Sequence, residues 1–304
     1  VNLEFEASVC GGVPIIRSIK EGLIANKIQK IYGIFNGTSN YILSSMDNEH
    51  KNLVDVLNKA KTLGYAETNP VSDLNGDDVA AKLKILSSLC FNSYLNNNIH
   101  VEGIKNIDKE DIDNANKLGY KIKLLGYAEL INNNIFQRVH PTLIKTSSYV
   151  ASIDGVLNAV IIDGTPVGQS IIQGEGAGPT ATTSALVSDI SSILRGNIKF
   201  PFSISNKKRK KLQFKNISER FFSAYLRFEV SDKSGVLSNI TNIFSKSKVS
   251  IKRLIQNPNK KKGTSSIVIV THASKDKSYT KIVNQIDKKN YIIKKSKLIR
   301  IDDN

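Results

Sequence analysis

The 304 residues are 40% hydrophobic and 23% charged, enough apolar side chain for one large core or two smaller ones, and no stretch is long and apolar enough for a membrane helix or a signal peptide, so a cytoplasmic protein is expected. Only Cys10 and Cys90 are present, without a CxxC pair, and His50, His100, His140 and His272 are scattered, which sets aside a disulfide framework and a zinc site. The net charge of +16 is confined to the C-terminal third: residues 1–198 hold 17 Lys+Arg against 20 Asp+Glu, whereas residues 199–304 hold 26 against 7.

The chain opens with Val in an apolar-alternating segment, residues 3–9, followed by Gly11-Gly12-Val13-Pro14, as expected of an entry into the middle of a protein. Residues 14–63 read as helix, strand, helix: Ile15, Ile16, Ile19 and Leu23 keep helical spacing, 30–34 is strand-like, and Leu53, Val54, Val56, Leu57 and Ala60 give another apolar face. Residues 64–86 gather Glu67, Asp73, Asp77, Asp78 and Lys82 around turns at Asn69-Pro70 and Asn75-Gly76. Asp77 is an N-cap or first-turn acid for a helix running to about Phe91, on which Asp78 and Lys82 share a face. Carboxylates can hold an ammonium by charge-assisted hydrogen bonds, and a lysine among them can exchange a proton with a nearby oxygen. The plain alternative is a capped helix with a surface ion pair.

Two short helices and strands at 123–130, 135–139 and 158–162 come next, which makes an α+β domain with an open mixed sheet covered by helices. His140 precedes a proline at a strand end and has no visible acid partner, so a catalytic role is not assigned to it. Residues 170–173 run into Gly174-Glu175-Gly176-Ala177-Gly178-Pro179-Thr180, a strand-to-helix turn whose glycines admit close backbone approach to a ligand. Lys207-Lys208-Arg209-Lys210-Lys211 then lies in a linker; it reads as a solvated, flexible connector, with a polyanion or nuclear-localisation patch as the alternative, and neither nucleic acid nor membrane is expected as a partner.

The second unit has the order βαββαβ. Leu226, Phe228 and Val230 alternate with Arg227 and Glu229 as in a half-buried strand, Val236, Leu237, Ile240, Ile243 and Phe244 form a helical stripe, and 248–255 and 265–271 are strands turning at Asn257-Pro258-Asn259 and Gly263. Tyr279, Ile282, Val283 and Ile286 mark a second helix, and 291–301 a closing strand. This ferredoxin-like pattern, with Asp232-Lys233-Ser234-Gly235-Val236-Leu237 at the first strand-helix junction, resembles an ACT domain.

The order Gly64, Glu67, Pro70, Asp73, Asn75-Gly76, Asp78, Lys82-Leu83 resembles the substrate segment of homoserine dehydrogenase. Phe5-Glu6-Ala7, Gly11-Gly12-Val13-Pro14-Ile15-Ile16 and Gly33-Ile34-Phe35-Asn36-Gly37-Thr38-Ser39-Asn40-Tyr41-Ile42-Leu43 agree with it, and the similarity runs over residues 3–196. The resemblance implies NAD(P)-dependent interconversion of L-homoserine and L-aspartate 4-semialdehyde, in the biosynthesis of threonine, methionine and isoleucine. It implies Lys82 as the general acid, Glu67 and Asp78 on the substrate ammonium, and Asp73 orienting Lys82 or the substrate. It further implies that Gly64 and Gly178 touch the NADP or NAD, and that Glu6, Val9, Gly11 and Val13 hold a structural sodium ion through one carboxylate and backbone carbonyls.

Asn36, Gly37, Thr38, Asn40 and Tyr41 come within reach of the same site, or Thr38 or Ser39 caps the following helix. Position 69 is Asn where relatives often have a second acid, so no carboxylate role falls there. The implied organisation is a catalytic and dimerisation domain over 1–170, a segment over 171–200 returning to a dinucleotide-binding domain, a basic linker over 201–222 and an ACT domain over 223–304 that takes an amino-acid effector, in a homodimer or higher homo-oligomer. Relatives carry a Rossmann domain ahead of this point; no GxGxxG follows a strand at the start here, so that domain is expected to be missing and the 304 residues inactive alone. From the residues themselves, a regulatory or oligomerisation fragment and a dehydrogenase of another small amino acid or hydroxy acid stay open as alternatives.

Overall fold

The computed structural model describes residues 2–95, 97–196, 200–258 and 263–302. They divide into Val1–Pro141 with Thr146–Lys215, and Thr142–Lys145 with Asn216–Asn304.

In the first unit α1 (Ile15–Arg17) continues as a π turn over Ser18–Gly22, and β1 (Lys27–Ile34) leads to α2 (Gly37–Glu49) and α3 (Leu53–Thr62). Next come α4 (Val71–Asn75), α5 (Asp77–Cys90), β2 (His100–Val101), α6 (Lys109–Lys117), β3 (Tyr120–Ile131) and β4 (Asn134–Lys145). The unit ends with β5 (Leu157–Thr165), β6 (Gly168–Glu175), α7 (Pro179–Leu194) and β7 (Gln213–Phe214). Its strands lie in the order β6-β5-β1-β3-β4, with β1 antiparallel to both β3 and β5 and with β2 and β7 parallel to β4. The mixed sheet expected from sequence is therefore present, and α2, α5 and α6 pack on it. On α5, Val79, Leu83 and Leu86 keep the 3.6-residue stripe and are fully buried. Close approach of this layer needs Gly126 on β3, because a Cβ there would meet the Phe35 ring at 2.6 Å.

Several expectations are corrected here. The region after β1 holds two helices, α2 and α3, and Val54 lies exposed on α3 while Val56 and Ala60 are buried. Between Phe91 and β3 the described residues hold one α-helix, α6, and the second short helical turn falls later, at Tyr149–Ser152. β4 runs on through Pro141, so His140 sits inside a strand; β2 pairs with Arg138 and Val139 and stops short of the proline, whose missing N–H is thus not demanded by that partner. The basic segment is not a free connector: Arg209 donates to the Ser93 carbonyl at 2.7 Å and to the Ser88 hydroxyl at 2.6 Å, and lies over the rings of Phe202 and Tyr94. Lys207, Lys208, Lys210 and Lys211 around it are exposed.

The second unit contains β8 (Phe221–Ser231), α8 (Val236–Lys246), β9 (Ile251–Pro258), β10 (Thr264–Thr271), a short β11 (Ser274–Lys275), α9 (Asp276–Ile286) and β12 (Lys297–Asp302). The antiparallel order β12-β8-β10-β9 is that of a ferredoxin-like sheet, with Phe228, Ile240, Phe244, Ile269, Tyr279 and Ile282 in its core. Residue 259 of the expected turn lies outside the described residues. β8 is buried on both faces, against the expected half-burial, and its polar side chains are matched by an Arg227–Glu229 ion pair at 2.6 Å. β9 starts later than expected because Lys248, at φ 55°, is part of the turn out of α8. The closing strand starts only at Lys297, because the Asp287 carboxylate accepts from the Ser296 N–H at 3.0 Å and closes a loop before it.

Candidate active site

A cavity of about 580 Å³ opens in the first unit, bounded by the start of α2, the α3–α4 loop, α4, α5, Val156 and residues 175–179. That is the size of a small-molecule site. Its polar wall is organised by Asn36. This buried residue ends the extended stretch after β1, and its Oδ1 accepts from the Ser39 N–H at 2.7 Å, which caps α2. The cap is therefore Asn36, not Thr38 or Ser39; the Thr38 hydroxyl instead donates to the Tyr65 carbonyl at 2.7 Å. With Oδ1 committed to the cap, Nδ2 donates to Asp73 Oδ1 on α4 and Asp78 Oδ2 on α5, each at 2.8 Å. One amide thus holds two carboxylates from different helices side by side.

Asp78 Oδ2 also accepts from Lys82 Nζ at 2.8 Å, as the four-residue spacing predicts, and Lys82 makes a second bond to the Phe35 carbonyl at 2.9 Å. An ammonium has three donors, so one is left for a bound oxygen. Burial raises the Asp73 carboxyl above its ordinary range, against the pull of the Asn36 amide, with Asp78 nearby adding to the rise. Asp73 bonds to Asn36 rather than to Lys82. Glu67 is exposed on the α3–α4 loop and borders the cavity, and Asp77 is an exposed first-turn acid of α5, whose N-cap is Gly76 at φ 84°.

Gly64 and Gly178 both border the cavity at positive φ, 76° and 111°, and a Cβ on either would meet no atom within 4 Å. Bare backbone is thus offered to a flat ligand at two points. Asn40 points elsewhere: its amide donates to the Ile153, Gly155 and Leu157 carbonyls and holds that loop against α2. Tyr41 is buried beside the Tyr65 ring. Tyr65 and Val156 border the cavity although no sequence signal marked them, since each arrives on a loop with no periodic partner, and Glu175 borders it from the glycine-rich turn.

Glu6 is buried and caps the start of α1, its Oε1 accepting from the Ile16 N–H at 2.7 Å and its Oε2 from the Arg17 N–H at 2.8 Å. Burial raises its carboxyl, while those two backbone donors lower it. Val9 and Gly11 follow in turns, and the Val13 carbonyl accepts from Ile15 N–H at 2.7 Å. Among the described residues no group of three or more His, Cys, Asp or Glu is arranged to hold a metal, so a cation here would rest on carbonyls and the single Glu6 carboxylate.

His140 is buried outside the cavity lining, its Nδ1 donating to the Pro141 carbonyl at 2.9 Å and its Nε2 facing Arg138 Nη1 at 2.5 Å. Burial pushes the Cys10 thiol up to about 11 and also raises Cys90, consistent with neither being a reactive thiolate.

The family description "Homoserine dehydrogenase" matches residues 14–191, and "AHAS small subunit-like ACT domain" matches residues 226–294. The chain is 39% identical over 309 residues to a homoserine dehydrogenase of Neisseria gonorrhoeae, covering 99% of this chain and 71% of that protein. A crystal structure of a homoserine dehydrogenase from Thiobacillus denitrificans superposes with a TM-score of 0.90 at 37% identity, over 98% of this chain and 70% of that one. A hyperthermophilic archaeal homoserine dehydrogenase mutant, solved in complex with NADPH, superposes with a TM-score of 0.55 at 28% identity, over 64% of this chain and 56% of that one.

Proposed function

Because the chain belongs to the homoserine dehydrogenase family and is an NAD(P)-dependent oxidoreductase of that kind, we propose that Lys82, Asp78, Asp73 and Glu67 carry its reaction on L-homoserine and L-aspartate 4-semialdehyde. The observation that carries this assignment is the chain of contacts Lys82–Asp78–Asn36–Asp73, all at 2.8 Å, on one wall of the cavity. Asp78 orients Lys82 through their 2.8 Å contact and leaves one N–H for the substrate oxygen, to which Lys82 gives a proton as the aldehyde is reduced and from which it takes one in the reverse direction. Glu67 and Asp78 receive the substrate ammonium, with Asp73 as a third acid beside them. The bound nicotinamide supplies or accepts the hydride, and bare backbone at Gly64 and Gly178 suits its close approach. Glu6 with the Val9, Gly11 and Val13 carbonyls offers the oxygen-only donor set that a sodium ion prefers, as a structural site.

The exposed apolar stripe of α7, with Leu186, Val187, Ile190 and Leu194 all more than half exposed, supports a contact of residues 171–200 with a dinucleotide-binding domain. The open edge β6 suits assembly with a second copy, and the ACT unit, where α8 opens at Gly235 after Asp232, suits an amino-acid effector. Among the described residues no helix is long and apolar enough to cross a membrane.

The direct test is Lys82→Ala in the enzyme. Turnover should fall roughly 10²–10⁴-fold, the span of a lost general acid, with a smaller change in the homoserine KM. Near-normal turnover would end the assignment.

A further inference from the structure

Behind the wall formed by residues 175–178 lies an amide that nothing in the reaction so far uses. Asn158, the second residue of β5, is fully buried, and among the described residues its Nδ2 and Oδ1 meet no hydrogen-bond partner stronger than the Cys10 thiol. Buried amides are almost always paired, because an unmet donor and acceptor cost folding free energy. The amide lies against Gly176, where a Cβ would land directly on it. Its other neighbour is the buried Cys10 thiol, a weak partner, and that thiol in turn feels the charges of Lys82 and Asp78.

The surrounding backbone is stripped of side chain in the same place. A Cβ on Gly11 would meet the Gly176 carbonyl at 2.6 Å, one on Gly12 would meet Ala181 at 2.9 Å, and the Gly12 N–H donates to the Glu175 carbonyl at 3.0 Å. The 175–178 turn is thus seated directly on main chain, with one side-chain amide beneath it. Glu175, Gly176, Ala177 and Gly178 all line the cavity.

We propose that Asn158 is a positioning residue for the 175–178 turn: its amide takes up main-chain groups of that turn when substrate and coenzyme fill the cavity, fixing the wall against them. The idea rests on the cavity being the dehydrogenase site, and its test separates the two. With no partner stronger than the Cys10 thiol among the described residues, the amide adds little hydrogen bonding to the fold, so removing it costs little of that kind; what is lost is order in the liganded turn.

The experiment compares the parent enzyme with Asn158→Ala and Asn158→Ser. Expected for the Ala variant are a thermal midpoint equal to or above that of the parent, kcat/KM lowered at least tenfold, and an unchanged pH profile for the Lys82-dependent step. Ser, which keeps a donor and an acceptor at shorter reach, should recover part of the loss. As a readout independent of turnover, hydrogen exchange of the 175–178 amides should slow on adding NADPH with homoserine in the parent and not in Asn158→Ala. Three results would overturn the proposal: kcat/KM within twofold of the parent, a lower midpoint that accounts for the lost activity, or ligand protection of the turn that persists in the variant. If Lys82→Ala retains activity while Asn158→Ala loses protection, it is the general-acid reading that fails and the positioning role that stands.

Discussion

Asn36→Asp is the sharpest perturbation the site offers, because it preserves the shape of the side chain and its ability to cap α2 while replacing a two-proton donor with a carboxylate. In the parent, Nδ2 bridges Asp73 and Asp78 at 2.8 Å each, and the residue is buried. The variant loses two hydrogen bonds to charged groups, each about 1.5–3 kcal/mol. It gains two like-charge contacts, each roughly 4 kcal/mol at 4 Å for an effective dielectric constant of about 20. Uptake of a proton by the cluster and the access of water to Asp73 and Asp78 absorb part of that sum, so the expected loss is about 3–5 kcal/mol at neutral pH, the range found when one member of a buried charged group loses its partner. The sign with pH is fixed. Asp73 already titrates above its ordinary range through burial, and a third carboxyl raises the cluster further. The folded variant then binds protons more tightly than its unfolded chain, so the penalty is complete above the raised values and is regained as pH falls toward the unfolded value of about 3.9. Urea unfolding of parent and variant at about pH 8 and about pH 5 measures this directly. A loss below about 1 kcal/mol, or one identical at both pH values, would refute the argument that this amide holds the two carboxylates together.

Glu67→Gln and Asp78→Asn should raise the homoserine KM steeply and leave the coenzyme KM nearly unchanged in steady-state assays; equal effects on both constants would give these residues structural roles instead. Threonine is the expected inhibitor acting through the ACT unit, by coupling between separate sites. Calorimetry on the enzyme should show heat with threonine, and silence with threonine, methionine, isoleucine and lysine alike would leave that unit as an assembly module.

Much of this was legible in the chain because local periodicity and local function coincide. Asp78 and Lys82 are four apart on a helix whose apolar stripe is unambiguous, and their contact at 2.8 Å needs nothing beyond that helix. The βαββαβ order of the second unit was equally plain, since each element there has its own stripe or alternation. The rest depends on tertiary partners. Asn36 gains its role only when α4 and α5 bring carboxylates to it from 37 and 42 residues away. Arg227 and Glu229 look like a solvent-facing row, and their ion pair accompanies the burial of β8 on both sides. Asn158 carries no mark at all in sequence, being one polar residue at the head of an apolar strand.

The seating of Arg209 bears on how such enzymes are rebuilt. With its guanidinium fixed by Ser88 and Ser93 and covered by two aromatic rings, and with Gln213 and Phe214 paired to β4, the first part of the basic segment belongs to the dehydrogenase unit, which extends to Lys215. A chimera that swaps in a different sensor at the lysine run would cut away part of its host's own structure. The splice point that respects both units lies after Lys215, past the lysine run.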